Sequence, residues 1–503
     1  MLGRLIESAR RRSVIPRSRS VASTSTGGLG SAPSPPHRQH ERCLGKLAAI
    51  IPIALAACQA HPLDRARPHL VLVSLDTLRA DHLDLYGYPR RTAPNLRRFA
   101  EEAIVFDRAY SQSPKTAPSH MTLLTGLYPA AHAVRNLSDE PAVALSPSIS
   151  TLAELLAAAG YETGAHTASG HVSRVLGFNR GFQQYFEGGG AKSIFAHAAE
   201  IASRLSNDGS PSFVFAHTYQ IHDPYVPPDR FQVFNSPSYA GEIVGDRARL
   251  RALAGEDWSR QHEVYWDRIR GEDPDDVQRL RDLYDAAILY TDVQVGRLFA
   301  RLRNAGLYED ALIIVLSDHG EEFREHGEFL HDSLYEEILH VPLIVRFPNG
   351  HGDAWGGRRI ASPVRLVDVL PTVLDYLDLP IPRHLQGESF LDLIADDSPR
   401  RARPIFAHWP LEQGSDPISI RLDSWKLIED GRGSTPELFD LAIDPGELDN
   451  RASERPEGVQ RLRELRRRML AESLALHAQH AAGNRVEISP ELENQLRALG
   501  YLR

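Results

Sequence analysis

Short apolar runs recur along the chain from residue 69 onward. The runs at 70–75, 213–216, 311–316 and 341–345 are almost continuously apolar, which is typical of strands buried on both faces. Between them lie amphipathic stretches with the three-to-four-residue spacing of helices. This alternation predicts an α/β fold in which a mostly parallel sheet is sandwiched by helices.

Two stretches carry clear helix signals. Thr151 and Glu154 have the spacing of a capping box, leucines follow at helical spacing, and Gly160 supplies a stop. The stretch 277–303 is the longest helical pattern. In contrast, 229–276 is charged and aperiodic, and we interpret it as an excursion over the active face of the sheet.

The pattern changes after about residue 400. Short strand-like pieces at 425–428 and 438–439 precede a charged helical stretch near 456–478. We therefore expect a main domain at 69–400 and a small C-terminal α+β subdomain at 401–503.

The beginning of the chain follows a different pattern. Residues 1–46 are basic, rich in Ser, Pro and Gly, and lack a hydrophobic period, which predicts a disordered leader. An uncharged apolar run of 11 residues follows at 47–57. It is too short for a bilayer, which needs about 20 residues, but suits the core of a signal peptide.

This apolar run ends in Leu-Ala-Ala-Cys at 55–58, which resembles the bacterial lipobox, whose Cys is lipidated after cleavage. Gln59 is not the Asp that favours retention in the inner membrane, so we expect an outer-membrane lipid anchor on Cys58, facing the periplasm. Residues 1–57 are then leader and signal, and 58–68 a tether. The alternative is a short buried helix that ends in Cys.

Charge is unevenly distributed. The whole chain has a net charge of −9, but residues 1–57 hold nine basic and two acidic residues, so the remainder carries −16. So acidic a body excludes binding to a nucleic-acid backbone, which depends on Lys and Arg. The only cysteines are Cys43 and Cys58, which excludes a disulfide framework and a Cys-rich zinc site.

Metal-competent side chains follow two predicted strands. Asp76 comes directly after the first apolar run, and Asp318 and His319 follow the third. Ligands of open α/β sheets bind at the carboxyl ends of the strands. A single Asp there is more often a helix cap, but two such strand ends, one of them Asp-His, favour a metal site.

Thr116 is a further candidate. Pro118 suits the first turn of a helix, which places Thr116 near a helix N-terminus, where free N–H groups favour a tetrahedral oxyanion. The alternative interpretation is an ordinary helix cap.

In combination, these features resemble the type I sulfatases of the alkaline-phosphatase superfamily along nearly all of 69–503. The matching segments occur in the family's order; they are 73–82 (VSLDTLRADH), 116–126 (TAPSHMTLLTG), 221–225 (IHDPY), 316–321 (LSDHGE), 367–372 (VDVLPT), 437–441 (ELFDL), 444–447 (DPGE) and 496–502 (LRALGYL).

The resemblance implies an alkaline-phosphatase-like fold, with 69–400 as the catalytic domain. It also implies that Asp76, Asp318 and His319 bind one divalent metal ion and that residue 116 is both ligand and nucleophile. Sulfatases carry Cys or Ser at that position, converted to formylglycine and followed by x-Pro-x-Arg. This chain has Thr116 and, in place of the Arg, His120.

Because Thr cannot yield the formylglycine aldehyde and no Cys follows residue 58, we expect no formylglycine. A Thr nucleophile is similar to that of the superfamily's phospho-transferring members. A metal-activated Thr oxygen can attack phosphorus and be released by water. We therefore expect hydrolysis of phosphoesters or phosphodiesters in preference to sulfate esters, which stay open as substrates.

Further histidines are carried over from the resemblance. His222 is a candidate general acid for the leaving group, with a capping His as the alternative. His120, His326 and His331 are candidate substrate contacts; His326 and His331 are alternatively part of a second metal site or of a solvated loop. His217 and Lys115 are weaker candidates.

Two carboxylates and an imidazole favour Mn or Zn as the metal, with Ca or Mg as alternatives. The expected substrate is a small-molecule, glycan or lipid ester, with membrane contact only through the lipid anchor. Two other functions compete with hydrolysis: a non-catalytic binder of anionic glycans or envelope lipids, and a headgroup transferase.

Overall fold

A large, mostly parallel sheet forms the centre of the molecule. The computed structural model describes residues 67–502, apart from 139–141, 208, 351–354, 397–402, 411–415, 431–432 and 434. The predicted leader, the signal segment and Cys58 lie outside the described residues. Asp64–Arg503 forms one compact unit.

The strands are β1 (His69–Leu75), β2 (Ile104–Tyr110), β3 (Glu162–Thr167), β4 (Gln184–Glu187), β5 (Ser212–Thr218), β6 (Ala311–Leu316), β7 (Glu322–Phe323), β8 (Phe329–Leu330), β9 (His340–Arg346), β10 (Arg359–Ile360), β11 (Val364–Arg365), β12 (Ile405–His408), β13 (Ile418–Leu422), β14 (Trp425–Glu429) and β15 (Glu437–Asp440).

The helices are α1 (Pro94–Ala100), α2 (Thr116–Thr125), α3 (Pro129–His132), α4 (Leu152–Ala158), α5 (Ala191–Leu205), α6 (Arg247–Ala254), α7 (Trp258–Trp266), α8 (Pro274–Asn304), α9 (Glu336–Leu339), α10 (Val369–Tyr376), α11 (Leu391–Ala395), α12 (Pro456–His477) and α13 (Pro490–Ala498). Short 3-10 segments lie at Ala80–His82, Asp84–Tyr86, Arg174–Leu176, Asp229–Phe231 and Leu366–Asp368.

Within the described residues, nine strands form the central sheet in the order β10-β2-β9-β6-β1-β5-β3-β4, with β11 also paired to β2. β9 runs antiparallel to both of its neighbours, and the other pairs are parallel. The strand β1 therefore lies between β5 and β6, and all three end at the same edge. The mostly parallel α/β fold predicted from the sequence is confirmed.

Side chains of β1 alternate between two apolar cores, because successive residues of a strand point to opposite faces. Leu70 and Leu72 belong to the core that includes residues of α2, α4 and α10. Val71 and Val73 belong to the core that includes residues of α1, α5 and α8. Helices therefore cover both faces of the sheet, and polar groups concentrate at the strand ends.

The C-terminal part forms an antiparallel sheet in the order β12-β13-β14-β15, and α12 shares an apolar core with it. Buried charges connect this sheet to α9. Arg421 Nη1 and Lys426 Nζ lie 2.9 and 3.0 Å from the two carboxylate oxygens of Glu336. The expected α+β subdomain is thus present, and it is tied to the segment that follows β6.

Two helices that the sequence pattern did not predict lie in one segment. The aperiodic stretch 229–276 contains the helices α6 and α7, which start at the side-chain caps Asp246 and Asp257. The many charged residues on the exposed faces of these two helices obscure the helical spacing of their apolar residues in the sequence. Among the described residues, no helix combines the length and the apolarity that crossing a bilayer requires.

Candidate active site

The ends of β1 and β6 bring three candidate metal ligands together. Asp76 follows β1, and Asp318 and His319 follow β6, its parallel neighbour. One ligand atom from each lies within 4.8 Å of the others, and all three residues are fully buried. Parallel strands that end at the same edge explain why residues so distant in sequence meet here.

A strained turn holds Asp76 in place. The next residue, Thr77, has a φ of 57°, which is rare for a β-branched residue and marks a conformation that its surroundings must impose. Its N–H donates to Asp318 Oδ1 at 3.3 Å, and its carbonyl accepts from the Tyr284 hydroxyl at 2.6 Å. The turn therefore links the two strand ends directly.

Thr116 is the first residue of α2, and Pro118 lies in the first turn, as predicted. The Oγ1 atom of Thr116 lies 3.2 Å from His319 Nε2. The hydroxyl of Ser119 donates to the Asp318 carbonyl at 2.8 Å, so the start of the helix is fixed to the end of β6. The Thr116 oxygen consequently faces the group of ligands.

The imidazole of His319 is oriented for ligation. Its Nδ1–H donates to the Gly320 carbonyl at 3.0 Å, which leaves Nε2 as an acceptor that faces Thr116. Burial lowers the pKa of His319 to about 4, so the ring is neutral at pH 7. A neutral ring with its lone pair directed into the site is the form that binds metals.

Each of the two carboxylates has one oxygen without a hydrogen-bond partner among the described residues. Asp76 Oδ1 and Asp318 Oδ2 are buried, and neither has a hydrogen-bond partner there. Burial and the adjacent charge of Asp76 raise the pKa of Asp318 well above its usual range. Two buried carboxylates with free oxygens that converge beside an imidazole fit a divalent cation.

Two further histidines support these ligands. His217 Nε2–H donates to Asp76 Oδ2 at 3.0 Å. His120 Nδ1–H donates to the Thr116 carbonyl at 2.9 Å, and its Nε2 pairs with Ser74 Oγ at 2.8 Å. Through these two hydrogen bonds His120 links the start of α2 to the end of β1.

His222 is held between a carboxylate and a phenol. Its Nδ1 lies 2.9 Å from Asp223 Oδ1, and its Nε2 lies 2.7 Å from the Tyr501 hydroxyl. Burial alone would lower the pKa of His222, but the Asp223 carboxylate outweighs it and raises the pKa to about 10. The ring is therefore an imidazolium at pH 7. A cavity of about 850 Å³ borders it.

His331 and His326 occupy different places. His331 packs against His319, with ring centroids 4.5 Å apart, so it lies beside the ligands. His326 stacks on Tyr335 with centroids 3.5 Å apart, and its Nε2 belongs to a separate group with Glu337 and Glu447. The structure thus brings His331, and not His326, into the Thr116 group.

Sequence reasoning missed two members of this group. Asp223 lies within the matching segment at 221–225 but was assigned no role. Tyr501 lies in the segment at 496–502, and its hydroxyl is 3.4 Å from Thr116 Oγ1. The segment matched the family, but a phenol has no spacing signal that predicts contact with a residue 385 positions earlier.

Known proteins share both the sequence pattern and the fold. The sequence model of the Sulfatase family matches residues 68–379, and that of the C-terminal part of N-sulphoglucosamine sulphohydrolase matches 324–474. Arylsulfatase K of Gallus gallus is 28% identical over 462 residues, which cover 82% of this chain and 84% of the relative.

Two solved structures show the same fold. A putative sulfatase from Bacteroides fragilis has a TM-score of 0.66 at 20% identity, covering 83% of this chain and 98% of its own. A phosphonate monoester hydrolase of Agrobacterium radiobacter has a TM-score of 0.64 at 22% identity, covering 84% and 99%. Since the Sulfatase match alone spans more than half of the sequence, the chain belongs to the sulfatase family of hydrolases.

Proposed function

We propose that this chain is a metal-dependent ester hydrolase that uses Thr116 as its nucleophile and acts on phosphoesters or phosphodiesters in preference to sulfate esters. The observation that carries the proposal is the position of Thr116 Oγ1, at the start of α2 and 3.2 Å from His319 Nε2. A small-molecule, glycan or lipid ester is the expected substrate.

Asp76, Asp318, His319 and Thr116 would hold one divalent cation, since the free carboxylate oxygens and the Nε2 acceptor converge there. When bound, the cation supplies charge neutralisation and lowers the pKa of the Thr116 hydroxyl. Two carboxylates with one imidazole favour Mn or Zn, with Ca and Mg as alternatives.

The replacement of the family's modified Cys by Thr116 supports phosphorus over sulfur as the centre of attack. A formylglycine hydrate can expel sulfate by elimination, and an unmodified Thr oxygen cannot. A Thr ester of phosphate is released when water attacks phosphorus. The structural likeness to a phosphonate monoester hydrolase supports this choice, whereas the arylsulfatase K relatives favour sulfate esters as the second candidate.

The side chains have complementary roles in such a reaction. Thr116 Oγ1 gives up its proton to solvent and bonds to phosphorus while the bond from phosphorus to the leaving oxygen breaks. The His222 imidazolium gives the leaving oxygen its Nε2 proton, which turns to that oxygen from the Tyr501 hydroxyl. Water then attacks the phosphothreonine, His222 takes up a proton from this water, and the bond between Oγ1 and phosphorus breaks. Phosphate leaves, and Thr116 Oγ1 takes a proton from solvent, which restores the hydroxyl.

Substitution of Thr116 tests the proposal. Thr116→Ser should keep part of the activity because it retains the oxygen, and Thr116→Ala should lower kcat/KM at least ~10³-fold because the nucleophile is gone. The assay uses p-nitrophenyl phosphate, phosphodiester, phosphonate and sulfate esters with each metal added back. Mass spectrometry after an acid quench should find phosphate on the peptide that contains Thr116.

Thr125→Ala is the matched control, because Thr125 is buried in the same helix and its hydroxyl bonds only to the Met121 carbonyl among the described contacts. It should retain wild-type rates. Full activity of Thr116→Ala would place the nucleophile elsewhere. Turnover of sulfate esters alone would reverse the substrate preference, and no turnover of any ester would favour the non-catalytic binder.

We further propose that the chain is held at the bacterial outer membrane, facing the periplasm, by a lipid on Cys58. The apolar run at 47–57 and the Leu-Ala-Ala-Cys sequence at its end support this proposal.

A further inference from the structure

The phenol of Tyr501 lies among the side chains that surround Thr116. Its hydroxyl is 2.7 Å from His222 Nε2, 3.4 Å from Thr116 Oγ1 and 3.5 Å from His331 Nε2. Its ring packs against His171, with centroids 4.0 Å apart. A side chain from the segment after α13 therefore reaches the nucleophile.

Specific packing contacts fix the position of this segment. Leu492 and Leu496 of α13 are buried in the main core, which fixes the helix. Gly500 has a φ of 76°, and a Cβ there would lie 2.2 Å from His262 Nε2. The backbone thus needs glycine for both its conformation and its close approach to α7. Such a fit determines where the next residue, Tyr501, points.

The same segment contacts both ends of a hydrogen-bonded series. Gly500 packs on His262, whose Nε2 lies 2.8 Å from Asp223 Oδ2. Asp223 binds His222, and His222 in turn binds the Tyr501 hydroxyl. The phenol is consequently positioned by its own backbone and by the side chain that it touches.

The direction of the Tyr501 proton follows from this contact. With the Asp223 carboxylate beside it, His222 is an imidazolium, which has no acceptor. Its Nε2–H donates to the Tyr501 oxygen, so the phenolic O–H points elsewhere. The Thr116 and His331 atoms stand at 3.4 and 3.5 Å, beyond the 2.5–3.0 Å of a normal O–H bond. Among the described residues, the phenolic O–H therefore has only these two long contacts, and one of them is with the nucleophile.

We propose that Tyr501 is a catalytic residue whose hydroxyl donates a hydrogen bond to a non-bridging oxygen of the group transferred to Thr116. This inference rests on the proposed role of Thr116. An oxygen of a phosphoryl group under attack by Oγ1 lies close to Oγ1, and a donor 3.4 Å from Oγ1 can reach it. Such a bond strengthens as charge develops on that oxygen, which lowers the barrier.

Tyr501→Phe tests this role because it removes only the hydroxyl. We expect kcat/KM to fall about 10²-fold, the usual loss for one donor of this kind, and by the same factor for p-nitrophenyl and alkyl esters. Binding of orthovanadate, which imitates the transition state, should weaken to a similar degree by calorimetry, with an unchanged melting temperature.

Tyr161→Phe is the matched control. Its buried hydroxyl donates to the Pro68 carbonyl at 3.0 Å, at the opposite end of the strands, and its loss should leave both readouts unchanged. Gly500→Ala should reproduce the Tyr501→Phe loss, since the added Cβ displaces the segment. Gly306→Ala should not, because Gly306 has a similar φ of 73° and open space around it.

Wild-type rates and vanadate binding in Tyr501→Phe, with Thr116→Ala inactive, would overturn this inference alone. So would a loss confined to alkyl esters with vanadate binding unchanged, since Tyr501 would then act through His222. A rise in kcat/KM or in vanadate affinity would show that the phenol blocks access to the site. That result would also overturn the inference. Activity of Thr116→Ala would instead overturn the proposed function.

Discussion

The histidines around Thr116 carry different charges because their neighbours differ. His120 and His319 lie close to the Asp76 and Asp318 carboxylates, but burial outweighs the Asp76 charge and lowers their pKa values to about 3 and about 4. His222 is equally buried, but the Asp223 carboxylate raises its pKa to about 10. One site thus contains neutral rings suited to ligation and one cation suited to proton donation.

Asp223→Asn should move the alkaline limb of the pH profile to lower pH. A general acid works while protonated, so activity falls as pH rises through its pKa, which is about 10 for His222. Without the carboxylate, burial dominates and this pKa drops. We expect the midpoint of the alkaline limb to move down by at least about one pH unit. The measurement is kcat/KM for an alkyl ester between about pH 6 and about pH 11.

Asp310→Asn serves as the control, because Asp310 is exposed and its backbone carbonyl meets His69 at the opposite end of the sheet. Its profile should match that of the wild type. An unchanged profile in Asp223→Asn would show that His222 is not the proton donor.

Much of the candidate site could be predicted from the sequence because its ligands follow strands. Asp76 comes directly after an apolar run, Asp318 and His319 follow another such run after one serine, and Thr116 lies two residues before a proline that suits the first turn of a helix. Tyr501 could not be predicted, since its place depends on how α13 packs. His326 resembled His331 in sequence, but the backbone turns it toward Glu337.

At the level of elements, a strand could be predicted where its residues are large and apolar, and not simply where it is buried. The strands β1, β5, β6 and β9 are apolar almost throughout and were predicted. The strand β3 was not, because its sequence Glu-Thr-Gly-Ala-His-Thr lacks large apolar residues. A Cβ on Gly164 would lie 2.4 Å from Ile201 of α5. Close packing of the helix on β3 therefore requires a glycine, which weakens the sequence signal of this strand.

The capping box of α4 is present as predicted. Thr151 Oγ1 accepts from the Glu154 N–H at 3.2 Å and donates to the Arg180 carbonyl at 3.0 Å. Thr151→Ala should lower the free energy of unfolding by about 1–2 kcal/mol, because the cap is lost. Urea denaturation measures this change. Thr151→Ser keeps the hydroxyl and should lose much less; equal losses would contradict a capping role.

At the level of the whole molecule, the proposed lipid anchor determines where the enzyme works. Cells grown with labelled palmitate should incorporate label into the wild type and into Cys43→Ser, because both proteins keep the Cys58 thiol that is proposed to be acylated. Cys58→Ser should remain unlabelled. Label in Cys58→Ser, or none in the wild type, would contradict the anchor.

Ion pairs join the C-terminal sheet to the segment that follows the candidate site residues of β6. Glu336, which lies five residues after His331, binds Arg421 and Lys426 of that sheet. The loop between β6 and β9 is therefore braced at a distance from the chemistry. Sequence could predict the two parts separately, but not this buried link, because Lys426 carries no spacing signal for its partner.

The hydroxyl of Thr116 exists as soon as the residue is built into the chain. A formylglycine nucleophile, in contrast, has to be formed from Cys or Ser by a second enzyme. Under the proposed function, the Thr116 oxygen needs only its cation, so maturation of the enzyme depends on the supply of metal. A host cell that lacks the modifying enzyme can then produce the protein in finished form.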